Sequence, residues 1–67
     1  MTPSQFRAIL ARLDLSQAKA GELVGADART ARRWALDESP VPECVAILLR
    51  LLATGKISIE DIEKARR

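Results

Sequence analysis

Apolar residues near the N-terminus recur at helical spacing. Phe6, Ile9, Leu10 and Leu13 follow the i, i+3, i+4, i+7 rule, while Gln5, Arg7 and Arg12 fall mainly on the other side. Thr2 and Gln5 form a Thr-x-x-Gln capping box with Pro3 at the first helical position, and Met1 and Phe6 are spaced for a hydrophobic staple across that cap. A first helix is therefore predicted from the very N-terminus to near Asp14. Ser16 then caps a second helix over 17–24, with Ala20, Leu23 and Val24 inward and Gly21 where a side chain would obstruct the next helix. Gly25 ends that helix in the left-handed conformation, and Asp27 caps a third over 28–35. Ala31 and Trp34 form the inward side of this third helix. Arg29, Arg32 and Arg33, at i, i+3 and i+4, share its outer face.

The stretch 37–42, Asp-Glu-Ser-Pro-Val-Pro, is turn-rich, because each proline disfavours helix in the residue before it. A fourth helix over 42–53 carries a broad apolar arc of Cys44, Val45, Leu48, Leu49, Leu51 and Leu52, which predicts the central core helix. Ile47 falls outside that arc, beside Glu43, Arg50 and Thr54, either as a subunit contact or as a lone exposed isoleucine. Gly55 stops this helix. Ser58 caps a fifth, with Glu60 and Asp61 at its positive end and Ile57 and Ile62 as staple. That helix runs out in Lys64, Ala65, Arg66 and Arg67, a basic end that either complements the helix dipole or serves as an arm on DNA.

The pattern is that of one all-α domain spanning residues 1–67. Its 48% hydrophobic and 30% charged residues are a globular composition. With only Phe6 and Trp34 aromatic, a stacking platform for single-stranded nucleic acid is not expected. Histidine is absent, there is one cysteine, and no carboxylates gather at metal-ligand spacing, so neither a metal site nor a cofactor is expected, and an enzyme is not. Gly55-Lys56 resembles the end of a phosphate-binding loop, but Ile57 replaces the required Ser/Thr and Arg50 stands in place of the first glycine. Cys44, inside the apolar run of the fourth helix, is expected to be a small core residue, which fits a reducing cytoplasm. The longest apolar run, 45–49, is far short of the ~20 residues of a membrane span, so no membrane partner is expected and the chain reads as soluble and intracellular.

Charge sharpens the functional reading. The net charge of +2 is a weak signal, but residues 1–36 hold six basic against three acidic side chains, whereas 37–67 hold five against six. The excess positive charge therefore lies in the half that contains the two short helices and their glycine turn, a helix-turn-helix at sequence level. A cationic helix face of this size suits a DNA groove. Arg7 and Arg12 are either phosphate contacts or solvated surface arginines.

Leu15 to Trp34, with Leu-Ser-Gln opening the second helix, small Gly21, apolar Val24, Gly25 in the turn, small Ala31, bulky Trp34 and a Pro-Val-Pro ahead of the fourth helix, resembles the helix-turn-helix of the Cro/C1-type (XRE-like) phage and bacterial repressors. The resemblance implies a compact five-helix, lambda-repressor-like domain that binds double-stranded DNA with its third helix in the major groove, as a homodimer on a pseudo-palindromic operator. It implies base readout by Ala28, Arg29 and Arg33, with arginine pairing bidentately to guanine and Ala28 offering only an apolar contact. Gln17 matches the position where the second helix meets the phosphate backbone, Arg32 contacts phosphate or base, and Thr30 is a lesser candidate. Dimerisation would fall to helices four and five, with Ile47 and Ile59 as contacts. A cytoplasmic, nucleoid-associated regulator of bacterial or phage origin follows.

Three features depart from the family, one being Asp27 at the DNA-side cap of the third helix. Leu36-Asp37-Glu38 replaces a glycine common after the third helix, and Leu10 and Ala35 stand where some members have a buried Arg–Glu pair, so an apolar contact is expected there. A protein-interaction module, such as an antitoxin-like partner using Ile47 and the last helix, and a relic of the fold that no longer binds DNA strongly are the competing readings.

Overall fold

A computed structural model describes residues 1–66; Arg67, and with it the end of the basic C-terminal run, lies outside the described residues. The described chain is all-helical: α1 (Pro3–Leu13), α2 (Gln17–Leu23), α3 (Ala28–Ala35), α4 (Glu43–Ala53) and α5 (Ile59–Ala65). α2 packs on α3, α1 lies against both α3 and α4, and α5 rests on α2.

Local hydrogen bonds start the helices where the cap residues stand. The Gln5 amide donates to Thr2 Oγ1 at 3.1 Å and the Thr2 amide to Gln5 Oε1 at 2.9 Å, completing the box ahead of α1. Ser16 Oγ accepts from the Lys19 amide at 3.0 Å and Asp27 Oδ1 from the Thr30 amide at 2.7 Å. At α5, Ser58 and Asp61 form a second capping box. Helices α1 to α4 each stop at a residue with positive φ: Asp14 (57°), Gly25 (78°), Asp37 (62°) and Gly55 (75°). After α2, the Ala26 amide reaches back to the Gly21 carbonyl at 2.8 Å and the Gly25 amide to that of Glu22 at 3.2 Å, a Schellman closure. Asp37 performs after α3 the backbone reversal that glycine performs after α2, and the Glu38 amide closes on the Arg33 carbonyl at 2.9 Å.

The core joins Phe6 and Leu10 of α1, Ala20 and Leu23 of α2, Ala31, Trp34 and Ala35 of α3, and the inner face of α4. Phe6 and Ala31 are fully buried, and Trp34 is 4% exposed. Leu10 and Ala35 are both buried, in keeping with an apolar filling at those positions.

α4 differs from expectation. Its buried residues are Val45, Ala46, Leu49 and Leu52, a face rotated away from the Cys44 and Leu51 side of the apolar arc. Cys44 is exposed, not a core residue. The loop before it contributes: Val41, between the two prolines, is buried at the start of α4, while Glu43 and Cys44, the first two helical residues, stay outside. Ala46, which the arc did not include, is fully buried. Ile47 is 48% exposed, opposite the buried face. Ile57 and Ile59 pack partly buried against the core beside buried Ile62. No described helix is long and apolar enough to cross a membrane.

Candidate nucleic-acid interface

The close approach of α2 and α3 begins with a missing side chain. A Cβ on Gly21 would lie 2.9 Å from the Asp27 carbonyl oxygen and 3.1 Å from the Ala31 Cβ. Hydrogen at this position and a methyl group at Ala31 let the turn fold back on α2. α3 is thereby held by its small face while its arginines stay outside.

Contacts from α1 fix the far end of α3. The Phe6 and Trp34 rings meet edge to face, centroids 5.9 Å apart and planes at 87°, an arrangement favoured by the ring quadrupoles. Next to it, the Arg7 guanidinium donates to the main-chain oxygen of Ala35, one of the carbonyls that the helix end leaves without an intrahelical partner. Arg7 is thus more than a solvated arginine: it caps the negative end of α3.

On the outer face of α3, Arg29, Arg32 and Arg33 line one surface depression of about 250 Å3 together with Leu36 and Glu38. All three arginines are exposed, and among the described residues none forms an ion pair; those found join Lys19 to Glu22 and Glu63, and Lys64 to Glu60. The three guanidinium groups are free for an external anion.

No family model, curated protein or solved structure significantly matches this chain.

Asp27 stands at the positive end of α3 and its carboxylate is engaged. Hydrogen bonds from Thr30, side chain and main chain, hold its pKa below the ordinary value, with the charges of Arg29 and Arg33 acting in the same direction. Thr30, half-buried, is thereby drawn to the cap. Ala28 is exposed in the first turn of α3. Gln17 lies apart from the arginines, half-buried in a second depression of about 460 Å3 beside Arg7, Leu15 and Ser16. Ile47 and Ile59 belong to neither depression.

Three residues of this neighbourhood, Arg7, Leu36 and Glu38, stand out in the sequence without the contacts they make here. The Arg7 contact leaves no pattern, because its acceptor is a main-chain atom. Leu36 is 50% exposed at the end of α3. Glu38 shares the arginine depression, a carboxylate that an incoming anion meets at the rim. The positive φ of Asp37 sets the direction of the chain after α3 and so places both, and a non-glycine residue there gives no sign of it in the sequence. Among the described residues no group of His, Cys, Asp and Glu is placed to hold a metal ion.

Proposed function

We propose that this chain is a sequence-specific, double-stranded DNA-binding transcription regulator of the Cro/C1-type, with α2, its glycine turn and α3 as the helix-turn-helix. One observation carries the reading: three exposed, unpaired arginines project from an eight-residue helix whose opposite face, Ala31, Trp34 and Ala35, is buried. A helix anchored on one side and cationic on the other has the shape and charge to enter a major groove about 12 Å wide. Arg29 and Arg33 read guanine O6 and N7, Ala28 contacts a thymine methyl, and Arg32 binds phosphate or a base edge. Gln17 and the free amides at the start of α2 meet the backbone at one side, and Thr30 acts through the cap. The Asp27 carboxylate, ionised at neutral pH, is turned to the Thr30 amide that it caps.

A second copy would bind the adjacent half-site, through contacts at Ile47 and Ile59, on a pseudo-palindromic operator. Ile47 is the better exposed of the two, since Ile59 is partly committed to its own core. No catalysis is part of this reading.

Selection of bound duplexes from a random pool is the test. Enrichment of a guanine-containing site with two-fold symmetry supports the reading, and a pool that stays as random as the input overturns it.

A further inference from the structure

A second cationic surface lies away from the arginines of α3. Gln5, Ala8, Ile9 and Arg12 form one stripe of α1 at i, i+3, i+4 and i+7, and this stripe meets Arg50 and Ala53 of α4 across a surface groove of about 350 Å3. No residue of the groove also lines the depression of Arg29, Arg32 and Arg33. At 3.6 residues per turn the stripe is centred about 150° around α1 from Arg7, the residue that points at α3. The groove therefore opens on a different side of the molecule from the proposed DNA face.

Its chemistry is specific in two respects. Ala8, Ile9 and Ala53 supply an apolar surface, and Arg12 and Arg50 supply two exposed guanidinium groups with no ion pair among the described residues. No carboxylate lines the groove. A duplex backbone would leave the apolar surface uncovered. A segment with both apolar side chains and carboxylates matches both parts, because arginine pairs bidentately with carboxylate while the alanines and isoleucine lose water contact.

We propose that the groove between α1 and α4 docks an acidic amphipathic helix of a partner protein, its apolar side chains on Ala8, Ile9 and Ala53 and its carboxylates on Arg12 and Arg50. This is the helix-in-groove mode, with charge selecting the partner. It stands independently of DNA binding, since no residue is shared.

The test titrates the isotope-labelled full chain with a synthetic helical peptide carrying leucine on one face and glutamate beside it, and with a counterpart in which lysine replaces each glutamate. Amide shifts confined to 5–12 and 50–54, absent with the lysine peptide, are expected. The double variant Arg12→Gln, Arg50→Gln changes only exposed side chains, and it should weaken the peptide about tenfold or more while leaving the salt dependence of duplex binding unchanged. Any of the following overturns the proposal: no binding, shifts centred on 28–33, equal binding of the lysine peptide, or an unaffected double variant. Concentration-dependent shifts in the groove without peptide would assign it to a second copy of this chain instead. A shallower salt dependence of duplex binding in the double variant would assign it to DNA.

Discussion

The Phe6 and Trp34 rings stand edge to face with their planes at 87°, and both are buried. α3 has only eight residues, and α1 rather than its own length holds it in place. Replacing Trp34 by alanine removes the largest side chain of the α1–α3 contact and should cost about 3–5 kcal/mol. A domain of this size has total stability on the order of 5 kcal/mol, so Trp34→Ala is expected to be largely unfolded at physiological temperature. Trp34→Phe, which keeps a ring against Phe6, should remain folded. Thermal melts followed by circular dichroism check both, and a cooperative, wild-type-like melt for Trp34→Ala would contradict the anchoring role.

Arg7 makes a different kind of link, from a side chain of α1 to the last main-chain carbonyl of α3. Both ends are partly hydrated, so Arg7→Ala should lower stability by about 1 kcal/mol, with duplex affinity falling through a loosened α3. Urea unfolding measures the first effect. An Arg7→Ala chain of unchanged stability with a shallower salt dependence of duplex binding would mean that Arg7 serves phosphate instead.

Gly21 and Gly25 predict opposite reasons for the same intolerance. In an open helix, glycine to alanine gains about 1 kcal/mol; at Gly21 the new methyl group would sit 2.9 Å from the Asp27 oxygen. Gly21→Ala should therefore destabilise by about 1–3 kcal/mol and displace the turn. Gly25 has open space around it but φ of 78°, so Gly25→Ala should cost about 1 kcal/mol with α2 and α3 in unchanged register. Denaturation curves give the energies, and amide shifts at 27–31 separate the two causes.

Asp27 predicts a pH dependence. Its carboxyl has a lower pKa in the folded chain than its ordinary 3.8, so the unfolded chain takes up the proton first. The stability it contributes is present above pH 3.8 and is lost as pH falls through the lower folded value. Asp27→Asn keeps a capping oxygen but has no charge to lose. The stability difference between wild type and Asp27→Asn should favour wild type at neutral pH and shrink below pH 3.8. A difference independent of pH would remove the charge from the account of this cap.

The helices and their starts were legible because caps are local: Thr2, Ser16, Asp27 and Ser58 each bond to an amide three residues on. The inward side of Trp34 was legible from its spacing to Ala31, and the packing role of Gly21 from the cost of glycine in a helix. α4 was not legible in the same way. A helix apolar on most sides does not say which side is buried; Val41 in a loop contributes to that choice, with small Ala46 on the buried side. At the candidate site, the shared face of Arg29, Arg32 and Arg33 followed from helix geometry. Glu38 entered that site only through the turn at Asp37, and Arg7 entered α3's support only through a main-chain oxygen.

The central claim is that α3 reads base sequence through Arg29 and Arg33 while Gln17 only positions the chain. It is tested most directly by measuring affinities of wild type, Arg33→Ala and Gln17→Ala across a set of duplexes in which each base pair of the selected site is changed in turn. Arg33→Ala should lose about 1–3 kcal/mol on the parent site and become indifferent to one base pair, whereas Gln17→Ala should weaken every duplex alike. An Arg33→Ala chain that keeps the full wild-type preference at every position would contradict the claim.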